Sequence, residues 1–215
     1  MTKDLSEDFA RLSLATPRLA EVEAFLPRLA AALAAAEIAS LLLRLETGIA
    51  APAAERAIRA VAEVAQPKGV ALMIEGDPEL VSRGGADGLH LSYDEKRLAG
   101  AVKRLSPDFI VGVGGLTSRD DAMRAGEAGA DYLLFGDVGE EGEALTLDWT
   151  TERVAWWAEI FNTPCVAWAR SLAEVGPLSA AGAEFVALAE AVWDDPRGEA
   201  EAMREAARLV REAGR

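Results

Sequence analysis

Gly85-Ala86-Asp87-Gly88-Leu89-His90-Leu91 decides the fold, because its opening recurs as Gly129-Ala130-Asp131-Tyr132-Leu133-Leu134 and again as Gly182-Ala183-Glu184-Phe185-Val186-Ala187. In each copy a helix-like run ends at a glycine suited to the left-handed position past a helix terminus. A small residue and an acid then turn the chain, and a short apolar strand begins. The copies start 44 and then 53 residues apart, room for two strand-helix units per step, so they mark every second strand of a βα array.

Working outward, the apolar strands fall at 12–16, 38–45, 70–74, 89–92, 109–113, 132–135, 165–169 and 185–188, and amphipathic helical segments separate them. The first helix is expected over 22–37. Pro52 sits in the first turn of the second, where its missing N–H costs little. Asp77-Pro78 and Ser118 cap later helices, Thr150 is expected to cap the one carrying Trp156 and Trp157, and the last helix is expected over 196–214. Strict strand-helix alternation requires a parallel sheet with right-handed crossovers, and eight such units in 215 residues close as an α/β (β/α)8 TIM barrel, one domain over 1–215. The alternative is an open doubly wound sheet. Gly112-Val113-Gly114-Gly115 follows a strand, yet it lacks the full dinucleotide-binding fingerprint and lies midway along the chain.

Composition narrows the chemistry. The formal net charge of −14 disfavours nucleic acid and anionic membranes as partners. No apolar run is long enough to span a bilayer and the N-terminus lacks a signal-peptide core, so a cytoplasmic protein is expected. A single cysteine, Cys165, excludes an internal disulfide, and with one histidine, His90, no cysteine- or histidine-based metal cluster can be built. Both are read as packed residues within strands. Trp156 and Trp157, adjacent on a helix, are expected to face the core and a helix neighbour or a second subunit, which leaves a homo-oligomer open.

Ala86-Asp87-Gly88-Leu89-His90-Leu91, then Ile110-Val111-Gly112-Val113, then Gly129-Ala130-Asp131-Tyr132-Leu133-Leu134-Phe135-Gly136 resemble thiamine-phosphate synthase in motif, spacing and order, over roughly residues 10 to 195. The resemblance implies a transferase of thiamine biosynthesis that couples an aminopyrimidine diphosphate to a thiazole phosphate at the C-terminal mouth of the barrel, with magnesium on the diphosphate. It also implies where the site residues fall. The family's Gln-x-Arg-x-Lys on the second strand reads Leu42-Leu43-Arg44-Leu45-Glu46, so the arginine is kept and the lysine becomes an acid. Its Asn-Asp-Arg after the third strand reads Glu75-Gly76-Asp77, and its magnesium aspartate falls on Glu95 beside Asp94. Its serine after the fifth strand falls on Gly114, and its Thr-x-Thr-Lys loop on Gly139-Glu140-Glu141-Gly142-Glu143, near Asp137. The paired glycines after the seventh strand become Ala169-Arg170, and the serine after the eighth becomes Glu190.

The candidate ligand site for a small molecule is therefore Arg44, Glu46, Glu75, Gly114, Asp137, Arg170 and Glu190, with Glu75, Asp77 and Glu95 as candidate magnesium ligands. Arg44 and Arg170 act either as anion clamps or as members of a salt-bridge network with Glu46, Glu75 and Glu190. The missing phosphate donors imply a family barrel inactive in the family reaction; the alternatives are a working transferase with a rebuilt site and a noncatalytic relative that binds a small molecule or a protein.

Overall fold

The repeated acid has a structural task that explains its recurrence. In the computed structural model, which describes residues 10–137 and 145–214, the Asp87 carboxylate accepts from Leu72 N–H at 2.6 Å, that of Asp131 from Val111 N–H at 2.8 Å and that of Glu184 from Cys165 N–H at 2.8 Å. Each acid thus satisfies an amide at the start of the preceding strand, where the sheet ladder offers no partner. The glycines ahead of them adopt φ of +79°, +91° and +99° at Gly85, Gly129 and Gly182, the left-handed conformation that glycine takes without a Cβ penalty.

The strands are β1 (Arg11–Ala15), β2 (Ser40–Leu43), β3 (Ala71–Glu75), β4 (Gly88–Ser92), β5 (Ile110–Gly114), β6 (Tyr132–Phe135), β7 (Cys165–Ala169) and β8 (Phe185–Leu188). They pair in parallel in sequential order, and β8 returns to β1 with Leu12 opposite Val186, so the sheet is a closed barrel and the open-sheet alternative is excluded. The outer helices are α1 (Leu26–Ala35), α2 (Ala51–Ala65), α3 (Pro78–Gly84), α4 (Glu95–Leu105), α5 (Arg119–Glu127), α6 (Leu147–Ile160), α7 (Leu172–Ala180), the short α8 (Glu190–Trp193) and α9 (Glu199–Ala213).

Helix boundaries differ from expectation in three places, the first being α1, which spans 26–35 rather than 22–37. Thr146, not Thr150, caps α6 by accepting from Trp149 N–H, while Thr150 lies a turn inside and its hydroxyl bonds the Thr146 carbonyl. The last helix starts at Glu199 rather than at 196, because Asp195 binds Arg197 and Gly198 turns at φ +89°, and the short α8 ahead of it stands outside the expected elements. Asp77 and Ser118 cap α3 and α5 as expected.

Outward strand residues such as Leu12, Leu14, Leu41, Leu72, Val111 and Val186 are buried beneath the helices. Trp157 joins this layer, donating to the Thr163 carbonyl at 2.7 Å and stacking on Phe161, while Trp156 is half-buried with Arg119 over its ring. Cys165 is buried, and that burial pushes its thiol pKa up, so it behaves as a small apolar residue.

Inside the barrel, Tyr132 lies across Gly112: a Cβ at Gly112 would sit 2.0 Å from the phenol ring. Gly112→Ala is therefore expected to destabilise the protein by about 1–3 kcal/mol or more, because the ring must leave its rotamer. Gly100→Ala, at an exposed α4 position with open space around it, should instead stabilise by about 0.5–1 kcal/mol. Urea titration of the two variants tests the contrast; equal midpoints would refute it.

Candidate active site

Loops that follow strand C-termini build the working face of this fold, and the candidate residues collect there. Arg44 follows β2, Glu75 ends β3, Gly114 ends β5, Asp137 lies two residues beyond β6, Arg170 follows β7 and Glu190 opens α8.

Arg44 is held on three sides. Its Nε donates to the Thr16 carbonyl at 2.5 Å, its Nη2 meets Glu190 at 3.1 Å, and its guanidinium lies 5.4 Å from the centre of the Trp168 ring. Its side chain is only 15% exposed, against 59% for Glu190. Glu75 pairs with Arg18 at 2.9 Å, a partner that sequence reasoning missed. The signal is indirect: Leu19 bridges to Leu45 beyond the regular strands and so carries Arg18 up to the mouth. Arg170 turns to Glu174 one helical turn on, at 3.5 Å, and its own amide donates to the same carboxylate. Of the carboxylates expected to neutralise the two arginines, only Glu190 does so. Glu46 is exposed and makes no ion pair among the described residues.

On the opposite side Asp137 accepts from Gly115 N–H at 2.9 and 3.1 Å. A Cβ at Gly114 would lie 2.6 Å from an Asp137 oxygen and 3.0 Å from His90 Nε2. Glycine at 114 thus lets a carboxylate and an imidazole enter the space that a serine side chain would fill. His90 Nδ1 meets the Tyr132 hydroxyl at 2.8 Å. Burial first and the Arg44 charge second lower the His90 pKa to about 4, so the imidazole is neutral near pH 7. Burial, with the nearby carboxylates of Glu75 and Asp137, pushes the Tyr132 phenol up. His90, read as a packed strand residue, is buried and hydrogen-bonded, yet it also borders a mouth cavity of about 350 Å³ with Arg18, Glu46, Glu75, Ser92 and Arg97.

The candidate magnesium ligands do not converge. Glu75 faces Arg18, Asp77 accepts from Glu79 N–H at the start of α3, and Glu95 faces Arg124 at 3.7 Å. Among the described residues no three histidine, cysteine or acidic side chains lie close enough together to hold a metal ion, so magnesium finds no protein-built cage there. The acids of 139–143 lie outside the described residues.

A family model described as thiamine monophosphate synthase matches residues 12–192. The chain belongs to the thiamine monophosphate synthase family. It is 38% identical over 207 residues to a thiamine-phosphate synthase of Rhodospirillum centenum, a match covering 94% of this chain and 98% of that protein. It is 37% identical to one of Hyphomonas neptunium, over 90% of each. Among solved structures, a thiamine phosphate pyrophosphorylase from Pyrococcus furiosus superimposes with a TM-score of 0.78 at 18% identity, covering 98% of this chain and 99% of that one. A 3-hexulose-6-phosphate synthase superimposes with a TM-score of 0.73 at 19% identity, covering 93% and 99%. These two likenesses concern the fold. No helix among the described residues is long and apolar enough to cross a membrane.

Proposed function

We propose that this family barrel binds a small molecule at its C-terminal mouth without coupling aminopyrimidine diphosphate to thiazole phosphate at a useful rate. The observation that carries this reading is the pairing of mouth guanidiniums with carboxylates: Arg44 with Glu190 and Arg18 with Glu75. A phosphate that used either cation would first have to displace an acid, then share the mouth with it. The resemblance places phosphate-binding hydroxyls, a lysine and bare glycine amides where this chain has Glu190, Gly114, Glu46 and Arg170. A departing pyrophosphate must be met by preorganised donors, and losing one donor typically costs about 3–4 kcal/mol. The ligand such a mouth favours is neutral or cationic rather than phosphorylated.

The named relatives support a second reading, that of a working transferase. One structural observation favours it: Glu190 is mostly exposed while Arg44 is not, so the carboxylate can swing into solvent and free an already oriented guanidinium for phosphate. The two readings separate in one assay. With both substrates and magnesium present, pyrophosphate release is expected to fall at least about a thousandfold below that of a family enzyme shown active in the same assay, allowing for strong non-additivity among the lost donors. Turnover within about tenfold of that enzyme, roughly 1.4 kcal/mol in barrier, would establish the second reading.

A further inference from the structure

The interior of a (β/α)8 barrel is ordinarily filled by bulky branched side chains in layers. Toward the N-terminal end of this barrel, four neighbouring inward positions on β8, β1, β2 and β3 are instead small: Ala187, Ser13, Ser40 and Ala71. They leave a hollow of about 350 Å³ that opens at the N-terminal face past Arg11, Ile110 and Phe185. Trp168 and Ser13 in its wall retain 8% and 6% exposure, so neither is fully packed over. His90 and Tyr132 form its inner end and divide it from the mouth cavity, which shares only His90 with it.

We propose that this hollow is a second ligand site, for an uncharged, largely apolar ring compound that carries one hydrogen-bond acceptor. The site is independent of the reading of the mouth. The volume falls in the range of small-molecule pockets, which are mostly apolar with a few placed polar groups. The placed groups are the Ser13 and Ser40 hydroxyls, 2.8 Å apart. Their mutual bond uses one hydroxyl hydrogen, and neither oxygen has another partner among the described residues. The second hydrogen is left free for an acceptor within the hollow, whichever of the buried Ser13 and the half-buried Ser40 carries it. Charge is selected against. The ionic groups that line the hollow stand at its rim: Asp131 is bound to Val111 N–H, and the Arg11 guanidinium lies 5.7 Å from the centre of the Phe185 ring. A ligand ion passing beyond them into the interior, which only uncharged side chains line, would lose its hydration without a counter-charge there.

The test uses the full-length protein and the neutral dye prodan, a naphthalene bearing a ketone, whose emission shifts to the blue in an apolar site. Saturable binding at one site per chain is expected. Ala187→Phe, which fills the hollow, should weaken it by at least about tenfold. Ser40→Ala, which removes a hydroxyl at nearly constant volume, should weaken it by about three- to tenfold. Near-ultraviolet circular dichroism checks that each variant is folded. If Ala187→Phe fails to fold, Ser40→Ala and the Ser13→Ala, Ser40→Ala double variant decide alone. Absence of saturable binding, or binding that the folded variants leave unchanged, overturns the proposal.

Discussion

Between pH 6.5 and pH 4 the protein is expected to lose about 3 kcal/mol of stability through a single imidazole. His90 is the only histidine in the chain, and burial followed by the Arg44 charge lowers its folded-state pKa from 6.5 to about 4. The unfolded chain therefore takes up a proton in this window that the folded chain refuses. The sign follows: the contribution is fully present above pH 6.5 and lost as the pH falls towards 4, with a slope of up to about 1.4 kcal/mol per pH unit. Other groups near the ring keep this direction. Tyr132 faces Nδ1 and stays a neutral phenol, and Glu75 and Asp137, the acids whose charges act on Tyr132, do not outweigh the burial of the ring. Urea unfolding followed at intervals of pH measures the loss, and His90→Asn should flatten the curve in this window while lowering stability at pH 7 through the lost Tyr132 bond. With one histidine, the imidazole proton resonances belong to His90 without further assignment. A ring titrating near 6.5 in the folded protein would refute the prediction.

What could be read from the sequence was whatever local chemistry repeats. Gly85, Gly129 and Gly182 announce their backbone conformation because a helix that ends in αL before an apolar strand leaves few alternatives, and three such turns at two-unit spacing imply the barrel. The purpose of the acids behind them was not legible. Asp87, Asp131 and Glu184 each reach across to the start of a strand at least fifteen residues earlier, a contact visible only once parallel neighbours are placed. The mouth divides in the same way. The strand ends located Arg44, Glu75, Gly114, Asp137 and Glu190 at one face, because position in a βα unit fixes which end of the barrel a residue serves. Partner choice depended on reach. Arg170 finds Glu174 on its own helix, a pairing that i,i+4 spacing permits, whereas Glu75 finds Arg18 only because the chain after β1 continues beside that after β2. The hollow in the lower barrel was illegible for a further reason: Ser13, Ser40, Ala71 and Ala187 are unremarkable singly, and their shared inward direction is a property of register.

Replacing Glu190 by Ser and Glu46 by Lys together is expected to raise the affinity of the mouth for inorganic pyrophosphate by about a hundredfold at low salt. Arg44 supplies the anchor. Its Nε remains held by the Thr16 carbonyl and its plane by Trp168 when Glu190 is removed, so the freed Nη2 keeps its aim and little side-chain entropy is spent on rebinding. Two unit charges about 4 Å apart interact by roughly 4 kcal/mol at an effective dielectric near 20. Glu190 is 59% exposed, however, and solvent screening reduces its share to about 1 kcal/mol. Reversal at Glu46, also exposed, changes the local charge by two and supplies a similar or somewhat larger share. The sum corresponds to about two decades, and should shrink as ionic strength rises because the altered groups border solvent. Titration calorimetry at two salt concentrations measures it, and Arg44→Ala in the doubly substituted background should abolish most of the gain. If the unaltered protein already binds pyrophosphate as tightly as the double variant, Glu190 yields its place on Arg44 without cost, and the carboxylate pairing at the mouth is a gate for phosphate rather than a barrier to it.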